Sequence, residues 1–300
     1  MTIIKQGLYR AQGLSRTVLA EIEQLMQVCN AHEGLDLKIN LSILHSRPHD
    51  EINDFLYYEQ DVLVGFLGLY SFNPHEGEIS GMVHPSFRRK GIFTALFQAV
   101  LEECQHRNIT HLLLIVEQAS LSGQAFVGSL ATTYDHSEYK MVLEEARLPS
   151  SFVERLHFRE ACEEDIPALT HITALAFDLS EVGVDWYSPK VLAHPKHRYY
   201  VAVLDNVNVI GKLDVSLTEQ ASFIYGFGVL PAYRGRGYGR QLLAYTIQTL
   251  LAMGKPQIAL EVATVNKNAL SLYQSCGFKE TGSYDYYMIS VPVPVADDKQ

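Results

Sequence analysis

The chain alternates between short apolar runs that favour β-strands and longer stretches whose apolar residues recur at helical spacing. Residues 14–29 carry apolar side chains every three or four positions, and this pattern predicts an amphipathic helix. Residues 111–117 are almost wholly apolar, which is typical of a strand buried on both faces of a sheet. Because segments of both kinds follow one another along the chain, the pattern predicts an α/β (α+β) fold.

One stretch, residues 223–243, organises the second half of the chain. A short β-favouring run consists of Phe223, Ile224, Tyr225, Phe227 and Val229. Pro231 ends this run because proline has no N–H for a sheet ladder. A turn rich in glycine and arginine follows at 234–240, and apolar residues recur at helical spacing from Leu242 onward. The pattern predicts a buried strand, a tight turn and a helix that begins on glycine.

Such a turn is a candidate anion site, because the first turn of a helix has unpaired N–H groups and partial positive charge. Glycines allow close approach of a phosphate or diphosphate, and Arg234, Arg236 and Arg240 add positive charge. The dinucleotide-binding pattern G-x-G-x-x-G does not fit, since Arg240 stands where its third glycine would be. On these residues alone, a glycine-rich turn without a ligand is the alternative.

The composition narrows the function classes. A length of 300 residues suits two domains, and a net charge of −10 argues against nucleic acid or an anionic membrane as the main partner. The sequence has neither an apolar run of membrane-spanning length nor a signal-peptide pattern at its start. The four cysteines are dispersed and the histidines lack metal-ligand spacing. We therefore expect a reduced, cytoplasmic protein without a metal site.

An internal repeat relates the two halves of the chain. Three pairs of residues lie 146 positions apart in equivalent segments: Gly65 and Gly211, Pro85 and Pro231, Gly91 and Gly237. Two unrelated strand–turn–helix units would not keep this register, so both halves are predicted to share one fold. Residues 147–151 have linker chemistry, which predicts domains at 1–148 and 152–292 and a loose tail at 293–300.

The motifs of the second half resemble a known family. Arg234, Gly237 and Gly239 form an R-x-x-G-x-G pattern that resembles the acetyl-CoA-binding motif of the GNAT acetyltransferase superfamily. Glu261, Asn266 and Tyr273 have a spacing that resembles the ribosomal-protein alanine N-acetyltransferases of this superfamily. The tandem plan is similar to mycothiol synthase. The resemblance implies two GNAT domains, each a mixed central sheet flanked by helices.

The resemblance also implies a reaction and a set of residues. The reaction would be a direct acetyl transfer from acetyl-CoA to a primary amine in a ternary complex. The cofactor-binding residues implied are Phe227, Gly228, Val229, Arg234, Gly235, Arg236, Gly237, Tyr238, Gly239, Arg240 and Asn266. Tyr273 would protonate the departing thiolate, and Glu261 would take a proton from the amine, directly or through water. Core packing for Tyr273 and a backbone contact for Glu261 are the structural alternatives.

The first half departs from the motif where the chemistry would lie. Arg89 replaces Gly235, and Phe93 replaces Gly239. A local alignment retains Glu117 as an acidic residue but pairs Asn266 with Ser122 and Tyr273 with Ser129. We therefore expect a degenerate first domain, either structural or still able to bind CoA through residues 88–91.

Two other functions stay open for the second domain. One is transfer of a longer acyl group from its CoA thioester, and the other is a non-catalytic acetyl-CoA sensor. The acceptor would be a small-molecule amine or the amine of a peptide or protein. The acidic net charge of −10 is compatible with a cationic amine such as an aminoglycoside, a polyamine or a peptide N-terminus.

Overall fold

The computed structural model describes residues 4–47, 50–73, 75–149, 152–181, 186–219 and 221–292. The first half of the chain forms β1 (Gly7–Gln12), α1 (Arg16–Glu33), α2 (Leu41–Ser46), β2 (Ile52–Glu59), β3 (Val62–Asn73), β4 (Glu76–Val83), α3 (Ile92–His106), β5 (His111–Glu117), α4 (Leu121–Val127) and β6 (Thr133–Leu143). The second half forms β7 (Leu156–Glu160), α5 (Ile166–Phe177), α6 (Pro189–Leu192), β8 (His197–Leu204), β9 (Asn208–Leu217), β10 (Ala221–Val229), α7 (Tyr238–Ala252), β11 (Gln257–Ala263), α8 (Lys267–Ser275) and β12 (Phe278–Ser290).

The chain divides into two compact units, and each completes its sheet with a strand from the other half of the sequence. The first unit holds the described residues up to Ser137 and from Gly282 onward, and the second holds 138–281. Residues 284–290 of β12 pair with β5, whereas residues 138–142 of β6 pair with β11. The linear division at 148–152 therefore differs from these units, and the predicted tail at 293–300 lies outside the described residues.

The first unit is a mixed sheet between two helical layers. Its strand order is β1-β2-β3-β4-β5-β12, and only the β4–β5 pair is recorded as parallel among the described pairings. Leu96 and Val100 of α3 pack on one face, while Ile22 and Leu25 of α1 pack with Phe66 on the other. Alternate residues of each strand thus meet different helices, as the period of two in a strand requires.

The second unit repeats this plan and holds the residues of the motif. Its strand order is β6-β11-β10-β9-β8-β7, with β10 and β11 parallel. Leu243 and Ile247 of α7 pack on one face, and Leu169 of α5 packs with Val201 on the other. The predicted mixed central sheet flanked by helices is confirmed in both units. The pattern did not predict β1, whose side chains are mostly exposed, or β12, in which residues 279–283 after Phe278 are polar or glycine.

Candidate active site

The site of the second unit begins where two parallel strands separate. Strand β10 pairs with β11 from Ala221 to Ile224, and the recorded pairing ends with Ile224 opposite Leu260. Beyond this point β10 contains a β-bulge, because the register against β9 shifts between Tyr225 and Gly228. A bulge turns backbone groups away from the regular ladder. The separation of the strands opens a cavity of about 860 Å³ beside this stretch of backbone.

This cavity brings together twelve of the thirteen residues predicted for the site. They are Phe227, Gly228, Val229, Arg234, Gly235, Gly237, Tyr238, Gly239, Arg240, Glu261, Asn266 and Tyr273. Arg236 is the exception: it is exposed, and its guanidinium carbon lies 5.8 Å from the centre of the Tyr233 ring. The sequence did not single out Tyr225, Gly226, Ala176 or Glu138, which also line the cavity.

The glycine turn presents the beginning of α7 to this cavity. Gly235 and Gly237 have left-handed φ angles of 75° and 77°, which favour glycine. Gly237 is the N-cap of α7 and gives the helix no side-chain hydrogen bond, so the N–H groups of its first turn are available to an anion. The Nε of Arg234 donates to the carbonyl oxygen of Val229 (2.8 Å), which braces the turn against the end of β10.

Gly239 packs the same turn closely against β10. A Cβ atom at this position would lie 3.3 Å from the ring of Phe227 and 3.4 Å from a methyl group of Val229. A Cβ atom here would therefore require the Phe227 ring to shift by a few tenths of an ångström. Gly239 thus lies in contact with Phe227 and Val229 between the turn and the bulge.

Tyr273 and Asn266 lie on α8, at the other wall. The ring of Tyr273 is 7% exposed and lies between Phe227 and Phe278, with ring centres 6.3 Å and 6.0 Å away. Burial raises the pKa of Tyr273 to about 12, so its hydroxyl is protonated at neutral pH and can donate a proton. The side-chain oxygen of Asn266 caps α8 by accepting the N–H of Ala269 (3.1 Å), which leaves its amide nitrogen as a donor.

Two carboxylates from neighbouring strands reach the cavity. Glu261 is half-buried on β11, and its backbone lies opposite Lys140 of β6. Glu138, two residues before Lys140, lines the same cavity. Sequence reasoning missed Glu138 because β6 joins this unit through long-range pairing, for which the sequence contains no local signal.

A buried ion pair supports the bulge from the face that α5 covers. The Nζ of Lys212 donates to Asp214 (2.7 Å) and to the hydroxyl of Thr173 (3.0 Å), and it also bonds the hydroxyl of Tyr187. A Cβ on Gly226, whose φ is 56°, would lie 2.4 Å from the Asp214 carboxylate. Burial raises the pKa of Asp214, which the neighbouring ammonium opposes. The bulge therefore rests directly on this charged pair.

The first unit keeps the turn but lacks the bulge. Arg89 and Gly91 have φ angles of 63° and 79°, so the arginine adopts the left-handed backbone that glycine has in the second unit. Strand β4 pairs with β3 in unbroken register from 80 to 82. The residues 146 positions before Lys212 and Asp214 are Phe66 and Gly68, so the buried ion pair is also missing there.

The turn of the first unit is also filled by side chains. Phe93 packs edge-on against Phe126, with ring centres 4.6 Å apart, and both line a cavity of about 450 Å³. Arg88 forms an ion pair with Glu33 at 2.9 Å. Phe93, which stands where the second unit has Gly239, thus makes an aromatic contact beside this smaller cavity.

Strand register corrects the local alignment of the two halves. Ile79 lies opposite Leu114 as Ile224 lies opposite Leu260, so Ile115 occupies the position of Glu261. The alignment that retained Glu117 was therefore wrong.

The helix after this strand corrects two further pairings. Ser120 is the N-cap of α4 as Asn266 is of α8, which makes Ser120 rather than Ser122 the counterpart of Asn266. The counterpart of Tyr273 then becomes Val127 rather than Ser129. Ile115 and Val127 therefore stand at the positions of Glu261 and Tyr273, and neither side chain carries a carboxylate or a hydroxyl.

The described residues contain neither a membrane-crossing helix nor a metal-binding cluster. No helix in the described ranges has the length and apolar content needed to cross a membrane. No group of three or more His, Cys, Asp or Glu side chains in those ranges is arranged to hold a metal ion.

Comparison with known proteins gives the family. A model of the Acetyltransferase (GNAT) family matches residues 19–128 and 165–278. The chain is 26% identical over 288 residues to the mycothiol acetyltransferase of Mycolicibacterium smegmatis, covering 89% of this chain and 94% of that protein. It is 37% identical over 119 residues to the N-alpha-acetyltransferase RimI of Mycobacterium tuberculosis, covering 36% of this chain and 72% of that protein.

A solved structure shows the same fold over nearly the whole chain. A tandem GNAT protein from the clavulanic acid biosynthesis pathway superposes with a TM-score of 0.73 at 15% identity, covering 96% of this chain and 100% of that chain. The family model matches both halves, and Arg234, Gly237 and Gly239 of the R-x-x-G-x-G pattern line the cavity of the second unit. The chain therefore belongs to the GNAT family and is an acetyltransferase with two GNAT domains in tandem.

Proposed function

We propose that the second unit transfers the acetyl group of acetyl-CoA to a primary amine by direct attack within a ternary complex. The observation that carries this proposal is that one cavity joins the uncapped first turn of α7 to the bulge of β10. The helix N-terminus suits a diphosphate. A backbone N–H of the bulge suits the oxyanion that forms when a thioester carbonyl becomes tetrahedral. Acetyl-CoA carries both groups.

The cosubstrate would lie along the cavity from the turn to the bulge. The backbone of 235–240 would hold the diphosphate, and Arg240 would add charge beside it. The amide nitrogen of Asn266 would donate to the pantetheine arm, since its oxygen already caps α8. The backbone of 227–229 would border the thioester. Arg236 would act only at long range, because it does not line the cavity.

The amine must lose two protons during the reaction. An alkylammonium with a pKa near ~10 loses one before it can attack, and the attacking nitrogen loses a second afterwards. Tyr273 would donate a proton to the departing thiolate, which its raised pKa of about 12 allows because the phenol stays protonated. Glu261 would take a proton from the amine, directly or through a water molecule.

We propose that the first unit does not transfer acetyl groups itself. It lacks the bulge, and Ile115 and Val127 stand at the positions of the proposed base and acid. Its cavity of about 450 Å³ and the left-handed backbone of its turn at Arg89 and Gly91 are compatible with CoA binding. Calorimetric titration with acetyl-CoA separates the two roles: one site per chain indicates a structural first unit, and two sites indicate CoA binding by both units.

Consumption of acetyl-CoA over a panel of amines tests the main proposal. The panel contains polyamines, aminoglycosides and peptides with a free N-terminus, since relatives act on N-terminal amines and on mycothiol. We expect turnover with at least one of these amines. Acetyl-CoA binding without turnover on any amine would favour a sensor. Faster turnover with butyryl-CoA than with acetyl-CoA would favour the longer acyl donor.

A further inference from the structure

Tyr225 and His197 form a hydrogen-bonded pair that leads away from the cavity. Tyr225 lines the cavity immediately before the bulge. Its hydroxyl lies 2.9 Å from the Nδ1 of His197, the first residue of β8. The ring of His197 lies 4.9 Å from that of His194, which is exposed at the surface. The three side chains thus connect the cavity wall with solvent.

The pair lies on the side of the bulge that the acetyl donor leaves open. Phe227 points toward α8, where its ring contacts Tyr273. Gly228 faces α5 instead, since a Cβ on it would lie 2.8 Å from the Cβ of Ala176. The proposed cosubstrate occupies the α7 and α8 side, so the part of the cavity near Ala176 and Tyr225 remains for the amine.

We propose that Tyr225 and His197 carry one proton from the bound ammonium of the acceptor to the protein surface. This inference rests on the proposed acetyl transfer and adds the path of the proton that the reaction releases. Of the two protons that the amine loses, one is matched by the proton that the thiolate gains. The other must reach solvent, because an ammonium and a thioester yield an amide, a thiol and a free proton.

The transfer balances in two steps. As the ammonium N–H bond breaks, its proton bonds to the Tyr225 oxygen, while the original Tyr225 proton moves to Nδ1 of His197. The phenol is restored and the imidazole becomes an imidazolium, which then releases one proton to water. The attacking nitrogen keeps its lone pair for the thioester carbonyl. Glu261 remains available for the second proton, which the nitrogen loses after attack.

The surroundings of His197 favour a neutral ring that can accept a proton. Burial lowers its pKa, and the neighbouring His194 and Lys196 lower it further. Tyr199 on the same strand stacks on the ring of His197, with ring centres 6.4 Å apart, and its hydroxyl is hydrogen-bonded to that of Tyr225. Tyr225 stays a phenol, because burial and the nearby Asp214 raise its pKa. The imidazolium is therefore an unstable carrier, which suits rapid release of the proton.

The first half of the chain has other residues at the positions of Tyr225 and His197. Strand register gives Ser80 as the counterpart of Tyr225, since Ser80 lies opposite Gly68 as Tyr225 lies opposite Asp214. Continuing the register of β2 gives Ile52 as the counterpart of His197. The fold itself therefore does not require this tyrosine and histidine.

The test is the pH dependence of kcat/KM for H197Q and Y225F with an alkylamine that the wild type acetylates. At pH 7 we expect each variant to lose about 10²-fold, because the ammonium has no exit for its proton. Near pH 10 we expect the loss to shrink to a few-fold, because solution then supplies the neutral amine. His157, exposed on β7, gives the control H157Q, for which we expect the wild-type profile.

Each other outcome has a defined meaning. A loss of the same size at every pH would assign His197 a packing role and overturn the proposal, as would unchanged kcat/KM at pH 7. Calorimetry with acetyl-CoA shows whether either variant still folds and binds its cosubstrate. If the wild type acetylates no amine of the panel, the proposed function itself fails, and that result is distinct from failure of the proton route alone.

Discussion

Replacing Tyr273 with phenylalanine removes one oxygen atom and keeps the aromatic ring. The ring packs between Phe227 and Phe278 and is 7% exposed, so Y273F retains its apolar contacts. We expect the free energy of unfolding to change by less than about 1 kcal/mol, which is typical for the net value of one hydrogen bond. We expect turnover to fall by about 10²-fold or more, equal to ~2.7 kcal/mol in the barrier.

The raised pKa of Tyr273 also predicts how turnover and stability depend on pH. With a pKa of about 12, only ~1 in 10⁵ of these hydroxyls is ionised at pH 7, so the acid is present throughout the range of ordinary assays. The wild-type rate should therefore show no alkaline decline from this group below about pH 11. Because folding raises the pKa of Tyr273, the protonated phenol contributes to the free energy of unfolding below pH ~10. This contribution is lost as the pH rises toward 12.

The assay follows release of the CoA thiol at saturating amine, with acetyl-CoA affinity measured by calorimetry. We expect near-normal affinity together with the loss in turnover, since the hydroxyl acts only on the leaving group. Y245F is the matched control, because Tyr245 lies on α7, stacks on Phe158 and does not line the cavity. Unchanged turnover in Y273F would refute the role as acid, and equal losses of stability and affinity would assign Tyr273 to packing.

Three further variants test the support of the site. G226A should lose at least about 2 kcal/mol of stability and most of its turnover, because its Cβ would lie 2.4 Å from the Asp214 carboxylate and its φ is left-handed. Urea unfolding measures the stability and the thiol assay measures the turnover. Wild-type values in both would contradict the close contact. K212M should lose about 3–5 kcal/mol of unfolding free energy, because it leaves the buried Asp214 carboxylate without its cation. The double variant K212F/D214G has the residues of the first half, Phe66 and Gly68, at these positions. Urea unfolding should show that it regains much of this stability. G239F should fold but bind acetyl-CoA at least ~10²-fold more weakly, because its ring would fill the space beside Phe227; unchanged affinity by calorimetry would exclude that crowding.

The sequence predicted the features that depend on neighbouring residues. Glycine spacing predicted the turn at 235–239, Pro231 predicted the end of β10, and apolar periodicity predicted α7. The internal offset predicted a shared fold, because each repeat preserves the same strand-to-turn distance. These features follow from backbone freedom and hydrophobic period within about twenty residues.

The features it did not predict depend on residues brought together from afar. The bulge is visible only as a shift in register between β9 and β10, and the pair Lys212–Asp214 matters because Gly226 lies against it. The exchange of β6 and β12 between the halves moved the limits of the compact units. The hydrogen bond between His197 and Tyr225 could not be predicted, because it joins β8 and β10 across β9, which lies between them in the sheet.

The central claim is that the beginning of α7 and the bulge of β10 together hold the diphosphate and the thioester of acetyl-CoA. A crystal structure of the full chain grown with acetyl-CoA tests it most directly. We predict density for the diphosphate at the backbone N–H groups of 235–240, with the thioester carbonyl within hydrogen-bonding distance of an N–H of 227–229. A vacant cavity in the second unit, or acetyl-CoA bound there with its diphosphate away from the turn, would contradict the account.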